Sequence, residues 1–357
     1  MPALTTVDLP DRIISRIDSH DPVALDTEFM RERTYFAQLC LVQLATPDEI
    51  FCMDPLAGDE LGVFWERLGG RTWVIHSARQ DIEVIYQASG RMPDALFDTQ
   101  VAAGLLGFQA QIGYAGLVDE LFDVQLPKSH TRADWSRRPL SDELLTYAAE
   151  DVEYLLRASD VLSERLDAKG RLDWARADSA LLLDKSLYDI DAGAAVDRLK
   201  GARSLRGRRR VVAARLAEWR EEEAVRLNRP RQWIVRDSIL IDLAFKAPGN
   251  LRELGRIDEL PDKVIKRSGK AILKAIASAA GDSHDYSPPS APTEAQKSQL
   301  KAMQRRVAEC ADDLGIAAET IASRKDLSAI IADDGRDSKV LSGWRRELVG
   351  SDLLALV

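Results

Sequence analysis

The sequence predicts a mixed α/β domain followed by small all-α domains, and two features of the residue pattern indicate this. From Val23 to about Leu166, short runs rich in β-branched and aromatic residues alternate with segments of helical periodicity. After about residue 170 the strand-like alternation stops, and the remaining segments have helical patterns. With 357 residues, the chain is long enough for two or three domains.

Five segments are predicted to be strands of one mixed sheet. The first three are VALDTEF, YFAQLCLVQLA and EIFCMD, and the TPD turn between the last two predicts an antiparallel pair. TWVIH and ALFD are the fourth and fifth. Helical patterns in GDELGVFWERL, DIEVIYQAS and TQVAAGLLG lie between or beside these strands. A sheet covered by helices is therefore expected.

The predicted first domain, residues 1–170, ends in one long amphipathic helix within RRPLSDELLTYAAEDVEYLLRASDVLSERL. Ser141 can cap this helix, and Asp142 and Glu143 suit the positive end of its dipole. The remainder is predicted to comprise a helical connector at 171–205, a helical domain at 206–281, a polar, proline-rich linker at 282–293 and a second helical domain at 294–357.

Charge is distributed unevenly along a chain whose net charge is −9. Residues 1–199 contain 19 basic and 35 acidic residues, a net charge of −16. Residues 200–285, the basic segment, contain 20 basic and 12 acidic residues, a net charge of +8. This asymmetry is typical of an anion-binding module, although a solvated helical surface has the same composition.

Cysteine usage and the absence of apolar segments predict a cytoplasmic protein with no membrane association. Cys40, Cys52 and Cys310 form no CxxC pair, and an odd number of thiols favours a reducing compartment. The first 20 residues lack the features of a signal peptide, and no apolar run has the length of a membrane span.

Two acidic residues, Asp26 and Glu28, interrupt the first predicted strand. Residues i and i+2 of a strand face the same side of the sheet, so the two carboxylates would share one small space. Water, protonation of one group or a bound cation would make this tolerable.

Two further acids join this pair as candidates. Asp81 lies in the first turn of the helix after the fourth strand, where a carboxylate also suits the helix dipole. Asp151 follows Tyr147 by four residues, which places both side chains on one face of the helix. Four carboxylates are the hard oxygen ligands that Mg²⁺ or Mn²⁺ takes, and two such ions can promote hydrolysis of a phosphodiester. With an ordinary pKa near 10, Tyr147 is expected to orient the attacking water and not to act as a strong base.

The motifs LDTEF, HSARQD, FDTQVAA and DWSRRPLSDELLTYAAEDVEYLL, in this order, resemble those of DEDD exonucleases of the subtype with tyrosine before the last aspartate. The resemblance is closest to the bacterial ribonuclease D family. Residues 206–280 resemble the HRDC domain, and residues 294–357 resemble a second, divergent copy by position more than by motif.

This resemblance implies a ribonuclease H-like fold and 3′-5′ hydrolysis of RNA that releases nucleoside 5′-monophosphates. The implied substrates are tRNA precursors with extra 3′ nucleotides. It also implies that Asp26, Glu28, Asp81 and Asp151 bind the metal ions and that Tyr147 positions the nucleophile. We expect a monomer. We also expect no use of ATP, because the sequence has no GxxxxGK[ST] phosphate loop.

Two regions contain candidate RNA contacts. The segment LPKSHTRADWSRRPL offers guanidinium groups for phosphates and an indole for base stacking, although a polar loop closed by a buried tryptophan has the same pattern. The basic segment adds the cluster RSLRGRRR. The candidates are Lys128, Arg132, Trp135, Arg138, Arg208, Arg209 and Arg210.

Two polar residues near the acids are assigned structural roles. His76 ends the fourth strand, where a hydrogen-bonded histidine is favoured over a substrate contact. Asp98 or Thr99 is expected to cap the helix that follows ALFD.

Two other functions remain open at this stage. A 3′-5′ DNA exonuclease of proofreading type would use the same acids, because RNA preference depends on contacts to the 2′-hydroxyl. A catalytically decayed RNA-binding scaffold is the second alternative, and the intact acids and tyrosine count against it.

Overall fold

The computed structural model describes residues 8–58, 61–127, 133–282, 291–332 and 338–357. The chain divides into two compact units. Unit one comprises Met1–Met30, Leu39–Tyr188 and Pro292–Val357, and unit two comprises Arg31–Gln38 and Asp189–Ala291. Most of the predicted linker, residues 283–290, lies outside the described residues.

The sheet of unit one has five strands in the order β3-β2-β1-β4-β5. The pair β2–β3 is antiparallel, whereas β4 is parallel to both β1 and β5. The predicted mixed sheet is therefore confirmed. The strands are β1 (Val23–Met30), β2 (Gln38–Ala45), β3 (Ile50–Met53), β4 (Thr72–Ile75) and β5 (Ala95–Asp98).

Helices make up most of the remaining chain, and none in the described ranges combines the length and apolarity that a bilayer crossing requires. In chain order they are α1 (Pro10–Ile17), α2 (Gly62–Gly69), α3 (Arg79–Ser89), α4 (Thr99–Leu106), α5 (Tyr114–Phe122), α6 (Asp142–Glu153), α7 (Leu155–Ala168), α8 (Leu172–Ala180), α9 (Ala195–Arg198), α10 (Gly207–Leu227), α11 (Arg231–Ile234), α12 (Asp237–Lys246), α13 (Leu251–Leu254), α14 (Asp262–Ser278), α15 (Glu294–Leu314), α16 (Ala318–Ile321), α17 (Arg324–Ile331), α18 (Gly343–Arg345) and α19 (Ser351–Leu354). A π-helical turn, Arg346–Gly350, joins the last two.

The prediction of one long helix at the end of the first domain is wrong, because the helix is interrupted at Tyr154. Ser141 caps α6 as predicted, accepting a hydrogen bond from the Leu144 amide. At Tyr154 the backbone amide donates both to the Tyr114 hydroxyl, at 3.0 Å, and to the Val152 carbonyl. The interruption gives α6 and α7 different neighbours: α6 packs on β1 and β3, and α7 packs mainly on α4.

The C-terminal helices α15–α19 share the hydrophobic core of unit one with α4, α7 and α8. The rings of Trp174 and Trp344 stack in parallel with their centroids 4.5 Å apart. Asp178 accepts hydrogen bonds from Arg345 Nη1 at 2.5 Å and Nη2 at 2.7 Å, and from Trp344 Nε1 at 3.1 Å. These contacts fix α18 to α8.

Unit two consists of α9–α14 and the loop Arg31–Gln38. Its core contains Leu216, Leu240 and Ile272, and Tyr35 of the loop packs against it. Asn228, in the left-handed conformation that ends α10, accepts hydrogen bonds from the amides of Tyr35 and Phe36. The loop is therefore held by side-chain packing and by hydrogen bonds from its amides to the Asn228 side chain.

We expect the substitution Arg345→Met to lower the free energy of unfolding by about 3–5 kcal/mol, because Asp178 would remain buried without a charged partner. Urea unfolding of the full chain measures this. The control, Lys297→Met, breaks an exposed pair with Glu294 and should cost at most about 1 kcal/mol. Equal losses for the two variants would contradict the assigned role of Arg345.

Candidate active site

The parallel pairing of β1 and β4 brings their carboxyl ends to the same edge of the sheet. Val23 is paired with Trp73, so extending the register places Asp26 level with the residue that follows β4. Helix α3 begins three residues later, and its first turn contains Asp81. Strand pairing alone therefore brings two acids that are 55 residues apart in the sequence to the same edge.

Three of the four predicted acids form a close cluster. Carboxylate oxygens of Asp26, Glu28 and Asp151 all lie within 4.8 Å of one another. The first two share a face of β1 because they are two residues apart in a strand. Asp151 comes from α6, which packs against β1. The structure thus brings together residues from two separate motifs.

Asp81 lies beside this triad but is not part of it. It is 7% exposed, and its Oδ1 accepts a hydrogen bond of 2.5 Å from the Thr27 hydroxyl. Its charge contributes to the raised pKa of both Asp26 and Glu28, so it belongs to the same electrostatic cluster. Thr27 is not identified as a site residue by the sequence analysis, although Thr27 stands between Asp26 and Glu28 in the LDTEF motif.

The carboxyl groups hold their protons unusually tightly in the absence of a cation. Burial, followed by repulsion from Asp151 and Asp81, raises the pKa of Glu28 to about 8. Burial raises the pKa of Asp81 to about 7 and that of Asp151 to about 7, and it raises that of Asp26 well above the ordinary value. A bound cation would reverse these shifts by stabilising the ionised forms.

Tyr147 contacts the acidic cluster from the same helix face as Asp151. Its hydroxyl donates a hydrogen bond to the Asp151 carboxylate, which lowers the pKa of that acid against the effect of burial. Burial and the charge of Asp151 raise the pKa of Tyr147. The phenol therefore stays protonated at neutral pH, and because its single proton is donated to Asp151, its oxygen is left to accept a hydrogen bond from a neighbouring water. Its role in orienting the attacking water stays a prediction.

His76 and Asp98 have the structural roles that the sequence predicts. His76 makes hydrogen bonds of 2.9 Å through both ring nitrogens, to Thr99 Oγ1 and the Ile112 carbonyl. Asp98 caps α4, accepting hydrogen bonds from the Gln100 and Val101 amides. Both side chains therefore already have hydrogen-bond partners outside the acidic cluster.

The donor set of the acidic cluster fits a hard divalent cation. It consists of carboxylate oxygens alone, which Mg²⁺ and Mn²⁺ prefer over softer metals. Burial and neighbouring carboxylates raise the pKa values of Asp26 and Glu28, and a bound cation would compensate both effects. The residues present therefore fit divalent metal ions.

Two candidate RNA contacts of unit one are engaged within the protein. Trp135 is 3% exposed and packs in a cluster with Cys40, Leu41 and Leu145. Arg138 forms two hydrogen bonds with Asp54, at 2.5 and 2.6 Å, and also donates to the Cys40 carbonyl. This matches the alternative of a loop closed by a buried tryptophan. Lys128 and Arg132 lie outside the described residues.

The candidates of unit two all lie in the first turn of α10. Arg208 is exposed, and the guanidinium of the exposed Arg209 lies 4.4 Å from the centroid of the Phe245 ring. Arg210 is 6% exposed and donates to Asp197 at 2.6 Å. Of the three, Arg208 and Arg209 are therefore accessible to a ligand.

Residues 1–167 match the family model described as 3′-5′ exonuclease, in agreement with the mixed sheet and the acidic cluster. The chain is 38% identical to ribonuclease D of Gluconacetobacter diazotrophicus, with 99% of this chain and 91% of the relative covered. It is 38% identical to that of Acidiphilium cryptum, with 96% and 90% covered. The crystal structure of Escherichia coli RNase D superposes with a TM-score of 0.88 at 28% identity, with 100% of this chain and 98% of that chain covered.

The chain therefore belongs to the ribonuclease D family, and the predicted class of enzyme, a 3′-5′ exoribonuclease, is confirmed. Membership implies dependence on divalent metal, which agrees with the donor set of the cluster. The HRDC family model matches residues 209–276. A second HRDC-like domain at 294–357 and the exact domain limits remain predictions.

The raised pKa values predict that the chelated protein loses stability as the pH rises. The folded protein binds the protons of these acids more tightly than the unfolded chain does. The protonated acids therefore contribute their full share of the free energy of unfolding below about pH 4, and this share is lost as the pH rises through about 7–8. Thermal unfolding in EDTA from pH 5 to 8.5 should show a falling midpoint. Added Mn²⁺ should reduce this fall, because it favours the ionised carboxylates. A pH profile that is identical with and without Mn²⁺ would contradict this description of the cluster.

Proposed function

We propose that this enzyme removes nucleotides one at a time from the 3′ end of RNA by hydrolysis, releasing nucleoside 5′-monophosphates. In this proposal Asp26, Glu28, Asp81 and Asp151 hold two divalent ions, Mg²⁺ or Mn²⁺. The observation that carries the proposal is the convergence of carboxylates from β1 and α6 within 4.8 Å, with the buried Asp81 beside them. Such a cluster of like charges is typical of a metal centre.

Each side chain of the site has a definite task in this mechanism. When bound, the ions lower the pKa of the attacking water and stabilise the charge that develops on the phosphate and its leaving oxygen. Thr27 fixes the Asp81 carboxylate by its hydrogen bond. Tyr147 is anchored on Asp151 and orients the water for attack on phosphorus. The bond to the 3′ oxygen of the preceding nucleotide then breaks, and that oxygen becomes the new 3′ end.

The proposed substrates are tRNA precursors and other structured RNAs with single-stranded 3′ extensions. The E. coli relative is described as an exoribonuclease involved in structured RNA processing. Exposed arginines of the basic segment, Arg208 and Arg209, are proposed to contact phosphates. We further propose that the enzyme acts as a monomer in the cytoplasm and needs no ATP.

We expect Asp151→Asn to abolish stepwise shortening of a 3′-extended tRNA, by a factor of about 10³ or more, because an amide is a poor ligand for a hard cation. Denaturing gels of timed reactions measure this, and EDTA should have the same effect on the wild type. An Asp119→Asn variant, changed on the exposed side of α5, serves as the control and should keep full activity. Matched RNA and DNA oligonucleotides belong in the same assay, and faster hydrolysis of DNA would overturn the proposed RNA preference.

The substitution Tyr147→Phe should reduce kcat about 10- to 100-fold with little change in KM, because it removes the hydroxyl that is anchored on Asp151 and accepts a hydrogen bond from the attacking water. It should also move the acidic limb of the pH–rate profile to higher pH, since the hydrogen bond from Tyr147 lowers the pKa of Asp151. Steady-state kinetics from pH 6 to 9 measure both effects. A fall in thermal stability with no change in kcat would assign Tyr147 a purely structural role.

A further inference from the structure

Unit two contains a solvent-open cavity of about 380 Å³ whose lining is rich in arginine. Besides neutral groups, the lining contains four arginines and two acids, Glu32 and Asp237, and two of the arginines also pair with the buried Glu221. The arginines come from the loop Arg31–Gln38 and from helices α9, α10 and α11. They are Arg31, Arg198, Arg220 and Arg231.

Arg220 has an unused donor inside this lining. The residue is 3% exposed, and its Nη1 donates to Asp237 Oδ1 at 2.6 Å and to the Val235 carbonyl at 3.0 Å. Its Nε is buried and has no hydrogen-bond partner. This buried guanidinium is therefore fixed in the lining by Asp237 and Val235, and its Nε is left without an acceptor in the folded protein.

A buried carboxylate holds two of the other arginines in place. Glu221 is 1% exposed and accepts hydrogen bonds from Arg231 Nη2 at 2.7 Å and Arg198 Nη2 at 3.1 Å. The hydroxyl of Tyr35 also donates to Glu221 and accepts a hydrogen bond from Arg231 at 3.0 Å. Burial raises the pKa of Glu221, but the hydrogen bonds from Arg231 and Tyr35 outweigh this effect and leave the pKa below its ordinary value. Both guanidinium groups are therefore fixed before any ligand binds, which lowers the entropic cost of binding.

The chemistry of this lining selects an oxyanion. Guanidinium groups match the oxygens of phosphate in paired hydrogen bonds, and several converging on one space favour a phosphate over a neutral ligand. The cavity is also large enough for a phosphate with part of its attached sugar. In an exoribonuclease the abundant phosphate ligand is the RNA backbone.

We propose that this arginine cavity binds one backbone phosphate of the RNA substrate. The inference rests on the proposed function and adds a specific binding site in unit two, formed by residues other than those of the acidic cluster. Arg198 and Arg231 supply the prearranged positive charge, and Arg31 of the loop adds a further guanidinium to the lining.

The test uses the full chain with the double substitution Arg31→Gln and Arg198→Gln. Both side chains are largely exposed, and Glu221 keeps Arg231 and Tyr35 as partners, so folding should be preserved. The matched control is Arg252→Gln with Arg256→Gln, which removes the same charge from exposed positions of unit two outside the cavity. Thermal unfolding of the three proteins verifies that their stabilities agree.

Binding of a fluorescein-labelled oligoadenylate is measured by anisotropy in EDTA at several KCl concentrations. For the cavity variant we expect Kd to rise about tenfold at low salt and the slope of log Kd against log [KCl] to fall by about 0.7, the loss of one single-strand phosphate contact. With metal present, KM for RNA should rise while kcat is unchanged. The control should match the wild type in Kd, slope and KM. If the cavity arginines acted only through protein stability or overall charge, the cavity variant and the control would change these values equally.

The outcomes distinguish this inference from the proposed function. A wild type that does not hydrolyse RNA would refute the proposed function. A wild type that hydrolyses RNA, with a cavity variant equal to the control in Kd, slope and KM, would overturn the inference alone. Inorganic phosphate separates the two sources of the anion: if it stabilises the wild type but not the cavity variant, while both bind RNA equally, the cavity takes free phosphate and the RNA inference is overturned.

Discussion

Repulsion between carboxylates at the end of β1 is the constraint on which the active site depends. The strand places Asp26 and Glu28 on one face, the parallel neighbour β4 leads into the helix with Asp81, and α6 adds Asp151. Without a cation, protons must compensate this charge, and the raised pKa of Glu28 expresses that requirement. The same fold that makes the site unfavourable for bare carboxylates makes it favourable for divalent ions.

Much of the candidate site could be predicted because its signals are local. Side chains two residues apart in a strand face the same side of the sheet, which places Asp26 and Glu28 together. Side chains four residues apart in a helix lie on one face, which places Tyr147 and Asp151 together. The interruption of the helix at Tyr154 could not be predicted, because it depends on a hydroxyl 40 residues away in the sequence. The hydrogen bond between Thr27 and Asp81 is equally a product of the tertiary fold, since it spans 54 residues.

The division into two compact units also could not be predicted from the sequence. Periodicity identifies the apolar face of each C-terminal helix, but not the core that the face joins. The residues from Pro292 onwards belong to unit one, where Trp344 stacks on Trp174. Conversely, the loop Arg31–Gln38 leaves the sheet and belongs to unit two, through Tyr35 and its network around Glu221. Both assignments depend on a few specific side-chain contacts, which sequence periodicity does not show.

Direct counting of bound Mn²⁺ tests the role of the acidic cluster most directly. Electron paramagnetic resonance of free Mn²⁺ in titrations of the full chain gives the number and affinity of the sites. We expect about two ions per chain for the wild type, the number that the proposed mechanism requires, and loss of tight binding in Asp26→Asn. A wild type that binds no Mn²⁺ at millimolar concentration, or an Asp26→Asn protein that binds it as the wild type does, would contradict a metal centre at these residues.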